Sequence, residues 1–149
     1  MLLNIPSIIS PELLKILAEM GHGDEIVLAD GNFPAESVAA ETKSGIITRA
    51  DGHGVPELLE AIMQLFPLDQ YVNKPVALMA VVPGDPTKPA IWNDYKEIIK
   101  ASNPKFNEFE MVERFQFYER AKKAYSIVAT GESALYANII LKKGVVTEE

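Results

Sequence analysis

Apolar side chains recur along this chain in two rhythms. Leu13, Leu14, Ile16, Leu17 and Met20 are spaced for one face of a helix, as are Leu58, Leu59, Ile62, Met63 and Phe66. Between them lie short apolar runs of strand length: Glu25 to Ala29, Ile46 to Arg49, Pro75 to Val82, Phe109 to Val112, Ser126 to Thr130 and Ile139 to Leu141. The run at 75–82 is apolar almost throughout, which predicts a central strand covered on both faces. Further helices are predicted at about 91–101 and 115–124.

Local signals sharpen the ends. Ser10-Pro11-Glu12 and Pro56-Glu57 each place proline and an acid where a helix begins, the first with a hydroxyl in capping position. Gly21 is expected to end the first helix in a left-handed conformation, Gly31 to Pro34 to form a loop, and Asp51 to Gly54 a turn. Strands alternating with helices argue for an α/β layered sheet. With no repeat, low-complexity segment or linker, residues 1–149 read as one domain.

Composition narrows the function. A net charge of −7 repels a phosphate backbone, so nucleic acid is an unexpected partner. The chain contains no cysteine, which removes disulfides, thiolate metal sites and a cysteine nucleophile. No run approaches the ~20 apolar residues of a membrane-spanning helix, and residues 1–12 lack a signal-peptide pattern. A cytoplasmic protein is the expectation.

Few segments carry chemistry. Gly21-His22-Gly23-Asp24 is either a turn with an incidental histidine or a loop whose glycines leave an imidazole open for proton transfer. Asp30 ends a strand, where open α/β sheets place ligand-binding groups, although a strand-end aspartate is more often a turn residue. His22, His53, Asp24, Asp30 and Asp51 supply ligand types for a metal, but lack the spacing that would make that reading specific. The glycines at 21–23 follow a helix and lack a third partner, unlike a dinucleotide loop, and Ser133 lacks a nucleophile elbow.

Arg114 to Arg120 is dense in aromatic and guanidinium groups. As an amphipathic helix it turns Phe117 and Ala121 inward and Glu119, Arg120, Lys122 and Lys123 to water. Arg114 and Tyr118, four residues apart, share one face. Tyr136-Ala137-Asn138 adds a phenol and an amide before the last strand. Together these groups suit a polyhydroxylated ligand.

In this order, the segments resemble the ribose/fucose mutarotase (RbsD/FucU) family. The resemblance lies in Glu19-Met20-Gly21-His22-Gly23-Asp24-Glu25, Asp30 with Phe33-Pro34, Arg49-Ala50-Asp51-Gly52, Arg114 to Ala121, Thr130-Gly131-Glu132, and Tyr136 through Leu141 to Gly144-Val145. The stretch at 114–120 is similar to the fucose branch. Residues 35–48 and His53 stand outside the pattern.

The resemblance implies a three-layer α/β/α domain with a central sheet. It implies cofactor-free interconversion of the anomers of a monosaccharide, L-fucose or a related sugar, with no metal. His22 is implied as proton donor, with Asp30, Arg114 and Tyr136, Ala137 and Asn138 on the sugar and Tyr118 in the pocket. Asp30 is expected to orient the imidazole or a sugar hydroxyl. The family also implies ring-shaped homo-oligomers, often decamers, with sites near subunit contacts. Two rivals remain at this point: a non-catalytic sugar-binding module on the same pocket, and a metal-dependent enzyme using His22 and His53.

Overall fold

The computed structural model describes residues 1–148. Five helices and six strands alternate in the order α1 (Pro11–Glu19), β1 (Glu25–Ala29), α2 (Ala35–Ala39), β2 (Ile47–Ala50), α3 (Val55–Met63), β3 (Val76–Met79), α4 (Ile91–Ser102), β4 (Glu110–Val112), α5 (Arg114–Lys122), β5 (Ser126–Thr130) and β6 (Ile139–Lys142). They form one mixed sheet in the order β2-β5-β1-β6-β3-β4. β6 runs antiparallel to both of its neighbours, and the other pairs are parallel.

The alternation of strand side chains divides the core in two. Ile26, Leu28, Val76, Leu78, Ile139 and Leu141 meet α1, α3 and α4 on one face. Val27, Ala29, Ala77, Met79, Ile127, Ala129 and Ile140 meet α2 and α5 on the other. The result is the three-layer α/β/α arrangement.

Two local expectations change, at residues 75–82 and at Gly21. The run at 75–82 contributes only β3, fully buried but second from the sheet edge; the central pair is β1 and β6. Pro83 and Gly84 turn the chain away soon after Ala80 bonds Val112. The segment 35–48 contains α2, whose five residues are too few to show a helical period.

Gly21 does not take the left-handed cap. Met20 ends α1 in extended conformation, and the positive φ, 88°, falls on Gly23. The reason is Lys143: its ammonium donates to the carbonyls of Leu17 and Met20 at 2.8 and 2.5 Å, satisfying the helix end that a glycine turn would otherwise close.

Candidate functional site

Parallel strands that end together bring their following loops together. Asp30 follows β1, Gly131 follows β5, Asp51 follows β2, and Arg114 opens α5 just after β4. Because β6 runs the other way, its start, with Tyr136, Ala137 and Asn138 before it, arrives at that same edge.

Asp30 is buried, 6 % exposed. Its N–H donates to Asn138 Oδ1 at 2.7 Å, and its own Oδ1 accepts the N–H of Asn32 at 3.0 Å. Burial pushes the carboxyl above its ordinary range, against the N–H groups of Asn32, Phe33 and Ala137, and Glu132 adds like charge. Asp30, Ala137 and Asn138 therefore form one group.

The loop at 136–138 is firmly anchored. Tyr136 holds a positive φ of 57°, uncommon for a non-glycine residue. Its carbonyl accepts Trp92 Nε1–H at 2.8 Å, and that of Ala137 accepts Tyr95 Oη–H at 2.6 Å. Tyr136 Oη donates to Asp85 Oδ2 at 2.6 Å and accepts the N–H of Val82 at 3.2 Å. Asp85 is held below the usual carboxylate range by the Thr87 hydroxyl and then by this phenol. Behind the loop, a side chain on Gly131 would collide with the Asp51 carbonyl, so only glycine lets these two turns approach.

Arg114 and Tyr118 share a face as expected: Arg114 Nε donates to Tyr118 Oη at 3.4 Å, and the guanidinium lies 5.1 Å from the Phe115 ring centre. Tyr118 packs edge-on against Phe33 at 5.5 Å, which ties this pair to the loop after Asp30. Beside Asp30 a cleft of about 360 Å³ is lined by Phe33, Glu36, Arg49, Asp51 and Thr130, where Arg49 forks onto Asp51 at 2.8 Å for both bonds.

Arg120 corrects the expectation that it faces water. It is half-buried, donating to both oxygens of Glu25 at 3.1 and 2.6 Å and pairing with Glu110 at 2.9 Å. The reason is that α5 packs on the sheet at β3, from where Arg120 reaches the acids carried by β1 and β4.

His22 stands elsewhere. It precedes β1, whereas Asp30 follows it, so about 17 Å of extended strand lies between residues 25 and 30. The imidazole, 45 % exposed, bonds Asp69 Oδ1 through Nε2 at 3.0 Å and tilts against the Tyr71 ring at 5.3 Å. Within the chain the carboxylate that orients the ring is thus Asp69, not Asp30. A cleft of about 550 Å³, lined in part by Asp69, Gln70, Val72, Asn103 and Phe106, opens beside it.

The metal rival finds no gathered set. His53 bonds Glu57 at 2.9 Å, apart from the His22–Asp69 pair, and no group of three candidate ligands occurs among the described residues. No described helix is long and apolar enough to cross a membrane.

Sequence reasoning missed Asp69, Tyr71 and Asp85. An aspartate two residues ahead of the N–H it accepts signals an Asx turn, and both aspartates do this. Their partners His22 and Tyr136 are tertiary and leave no local trace.

Comparison with known proteins finds relatives along nearly the whole chain. A family model described as the RbsD / FucU transport protein family matches residues 3–146. Fucose mutarotase of Danio rerio is 54 % identical over 98 % of this chain and 95 % of its own. The crystal structure of FucU from Bifidobacterium longum superposes with a TM-score of 0.92 at 54 % identity, over 97 % of this chain and 99 % of that one. The fucose mutarotase of Streptococcus pneumoniae in complex with L-fucose does so at 0.90 and 53 %, over 98 % and 100 %.

Proposed function

This chain belongs to the RbsD/FucU family, and from that premise we infer that it is an L-fucose mutarotase, an isomerase that interconverts the α and β anomers. The observation that carries the reading is the grouping of Asp30, Ala137 and Asn138 with Tyr136, Arg114 and Tyr118 at one sheet edge, in a chain over half identical to mutarotases along nearly its full length.

Mutarotation makes and breaks one bond. The anomeric hydroxyl loses a proton, the C1–O5 bond breaks, and O5 gains a proton. Rotation about C1–C2 turns the aldehyde, and the reverse transfers close the ring on its other face. Nothing is oxidised or reduced, so positioned acid–base groups suffice, typically for about 10²–10⁴-fold. His22 carries the transfer. Asp30 and Asn138 hold sugar hydroxyls, the N–H of Ala137 helps fix Asp30, and Arg114 with Tyr118 and Tyr136 frames the ring and its oxygens.

Since His22 and Asp30 occupy opposite ends of β1, the site is completed between two copies of the chain, one giving His22 and the other the Asp30 edge. The two ends are different surfaces, so such contacts run head to tail, the kind that builds a ring when the rotation between neighbours closes. Exposed apolar side chains at both ends, Tyr71 and Val72 beside His22 and Phe115 and Leu135 beside Arg114 and Tyr136, support that association.

The test is saturation-transfer NMR of anomer exchange on L-fucose. Wild type is expected to accelerate exchange and His22→Ala to lose about 10²-fold or more of it. Binding of L-fucose with no acceleration would identify a sugar-binding accessory protein instead.

A further inference from the structure

We propose that Asp69 is a positioning residue for the reaction: its carboxylate fixes the His22 imidazole with the hydrogen on Nε2, which leaves Nδ1 as the atom that exchanges a proton with the sugar. The proposal rests on the mutarotase reading for its chemistry, but its geometry belongs to the chain alone.

The carboxylate is built in. Asp69 is 5 % exposed, and its main-chain N–H donates to the Lys142 carbonyl at 3.0 Å, at the end of the central strand β6. Its Oδ1 accepts twice, from His22 Nε2 at 3.0 Å and from the Tyr71 N–H at 3.0 Å. One oxygen therefore orients both the imidazole and the backbone that carries the aromatic ring against it. The Tyr71 ring then limits rotation of the imidazole from the side.

The protonation pattern follows from what each group can do. An ionised carboxylate only accepts hydrogen bonds, so the nitrogen facing it must carry the hydrogen. Burial alone would raise the Asp69 carboxyl, but the Tyr71 N–H, the His22 bond and the positive charge of Lys142 hold it below the ordinary range. It is ionised at neutral pH. The neutral imidazole consequently has Nε2–H and a bare lone pair on Nδ1, and only Nδ1 can accept the anomeric proton. When the proton arrives, the adjacent carboxylate stabilises the imidazolium, as an acid does behind a catalytic histidine elsewhere.

The other charges nearby are already engaged. Asp24 accepts the Gly21 N–H at 2.7 Å, and Lys143 is spent on the end of α1. Neither competes for the ring. Together they hold the 21–24 loop so that the imidazole is presented at fixed height.

Long-range ¹H–¹⁵N correlation spectra of the wild-type protein without sugar read the tautomer directly. The expected result is a hydrogen-bearing Nε2 with a downfield, exchange-protected proton, and a bare Nδ1. A hydrogen on Nδ1 with Nε2 bare overturns the proposal, whatever the enzyme assays give. Asp69→Asn keeps an oxygen for the Tyr71 N–H and should fold. Because the amide oxygen can still accept Nε2–H, the tautomer is expected to persist, but the charge that stabilises the imidazolium is gone: kcat for anomer exchange is expected to fall about tenfold or more while KM for L-fucose stays within about twofold. Exchange at the wild-type rate, or a loss confined to KM, refutes the positioning role. Failure of the wild type to accelerate exchange, with the Nε2–H signal present, would instead count against the mutarotase reading and leave the histidine–aspartate pair standing.

Discussion

His22 and Asp30 bracket the same strand: one precedes Glu25, the other follows Ala29, and the five residues from 25 to 29 between them are extended. A strand cannot fold back on itself, so no motion short of unfolding β1 joins these two residues within one chain. Their separation is a property of the sheet.

Co-expression of two inactive variants tests that geometry. His22→Ala and Asp30→Ala chains are each expected to be silent in anomer exchange. Randomly mixed in one assembly, about a quarter of head-to-tail contacts pair an intact His22 with an intact Asp30. Activity should return to about that fraction of wild type. A mixture as silent as its parents would show that both residues serve one chain's site.

Asp30→Asn is expected to trade stability against function. The folded carboxyl sits above its ordinary value of 3.8 because of burial, so the native state holds the proton more tightly than the unfolded chain. Stability therefore falls as pH rises through that window and stays lower above it. Removing the charge should stabilise the protein at pH 7, an advantage that disappears below the ordinary carboxylate value. Melting temperatures across pH 3–8 check this; a wild type more stable than Asp30→Asn at pH 7 would contradict it. L-Fucose binding should weaken at every pH.

Tyr136→Phe removes one phenol from two bonds, to Asp85 and from Val82. Unfolding should become easier, read as a lower midpoint in denaturant titrations. The Asp85 carboxyl should move up toward its ordinary range. A rise in KM for L-fucose is expected with it, since the loop at 82–85 loses its tie to the site.

Arg120→Ala leaves two acids facing each other without a cation. Glu25 is mostly shielded, with 16 % of its side chain exposed, and losing its partner should cost about 2–3 kcal/mol. Arg120→Lys should recover part of this, because one ammonium can serve only some of the bonds a fork makes. Equal stability of Arg120→Ala and wild type would mean the pair is solvated in practice.

Much of this was written in the sequence. Leu13, Ile16 and Leu17 at helical spacing mark a buried face, Ser10 caps where a hydroxyl before proline should, and β1 and β5 match their apolar runs. Asp30 is likewise legible as a polar group at a strand end, and Asn138 as an amide ahead of the last strand, while the hydrogen bond that joins them is tertiary. What failed to show did so for physical reasons. Arg120 has the polarity of a solvent-facing residue, and only the arrival of Glu25 from a strand far away in sequence draws it inward. Gly21 carries the signature of a helix stop, but Lys143, over a hundred residues later, satisfies that helix end. The His22–Asp69 pair joins two turns with no pattern in common.

β6 is the last strand in the chain yet lies between β1 and β3. During synthesis the sheet can exist only as two separate halves, β2-β5-β1 and β3-β4, each with a bare edge, until residues 139–142 leave the ribosome. The closing strand also delivers Asn138 to Asp30. Assembly of the Asp30–Asn138 group is thereby coupled to the arrival of residues 139–142, and a chain truncated before them would expose two sticky β edges.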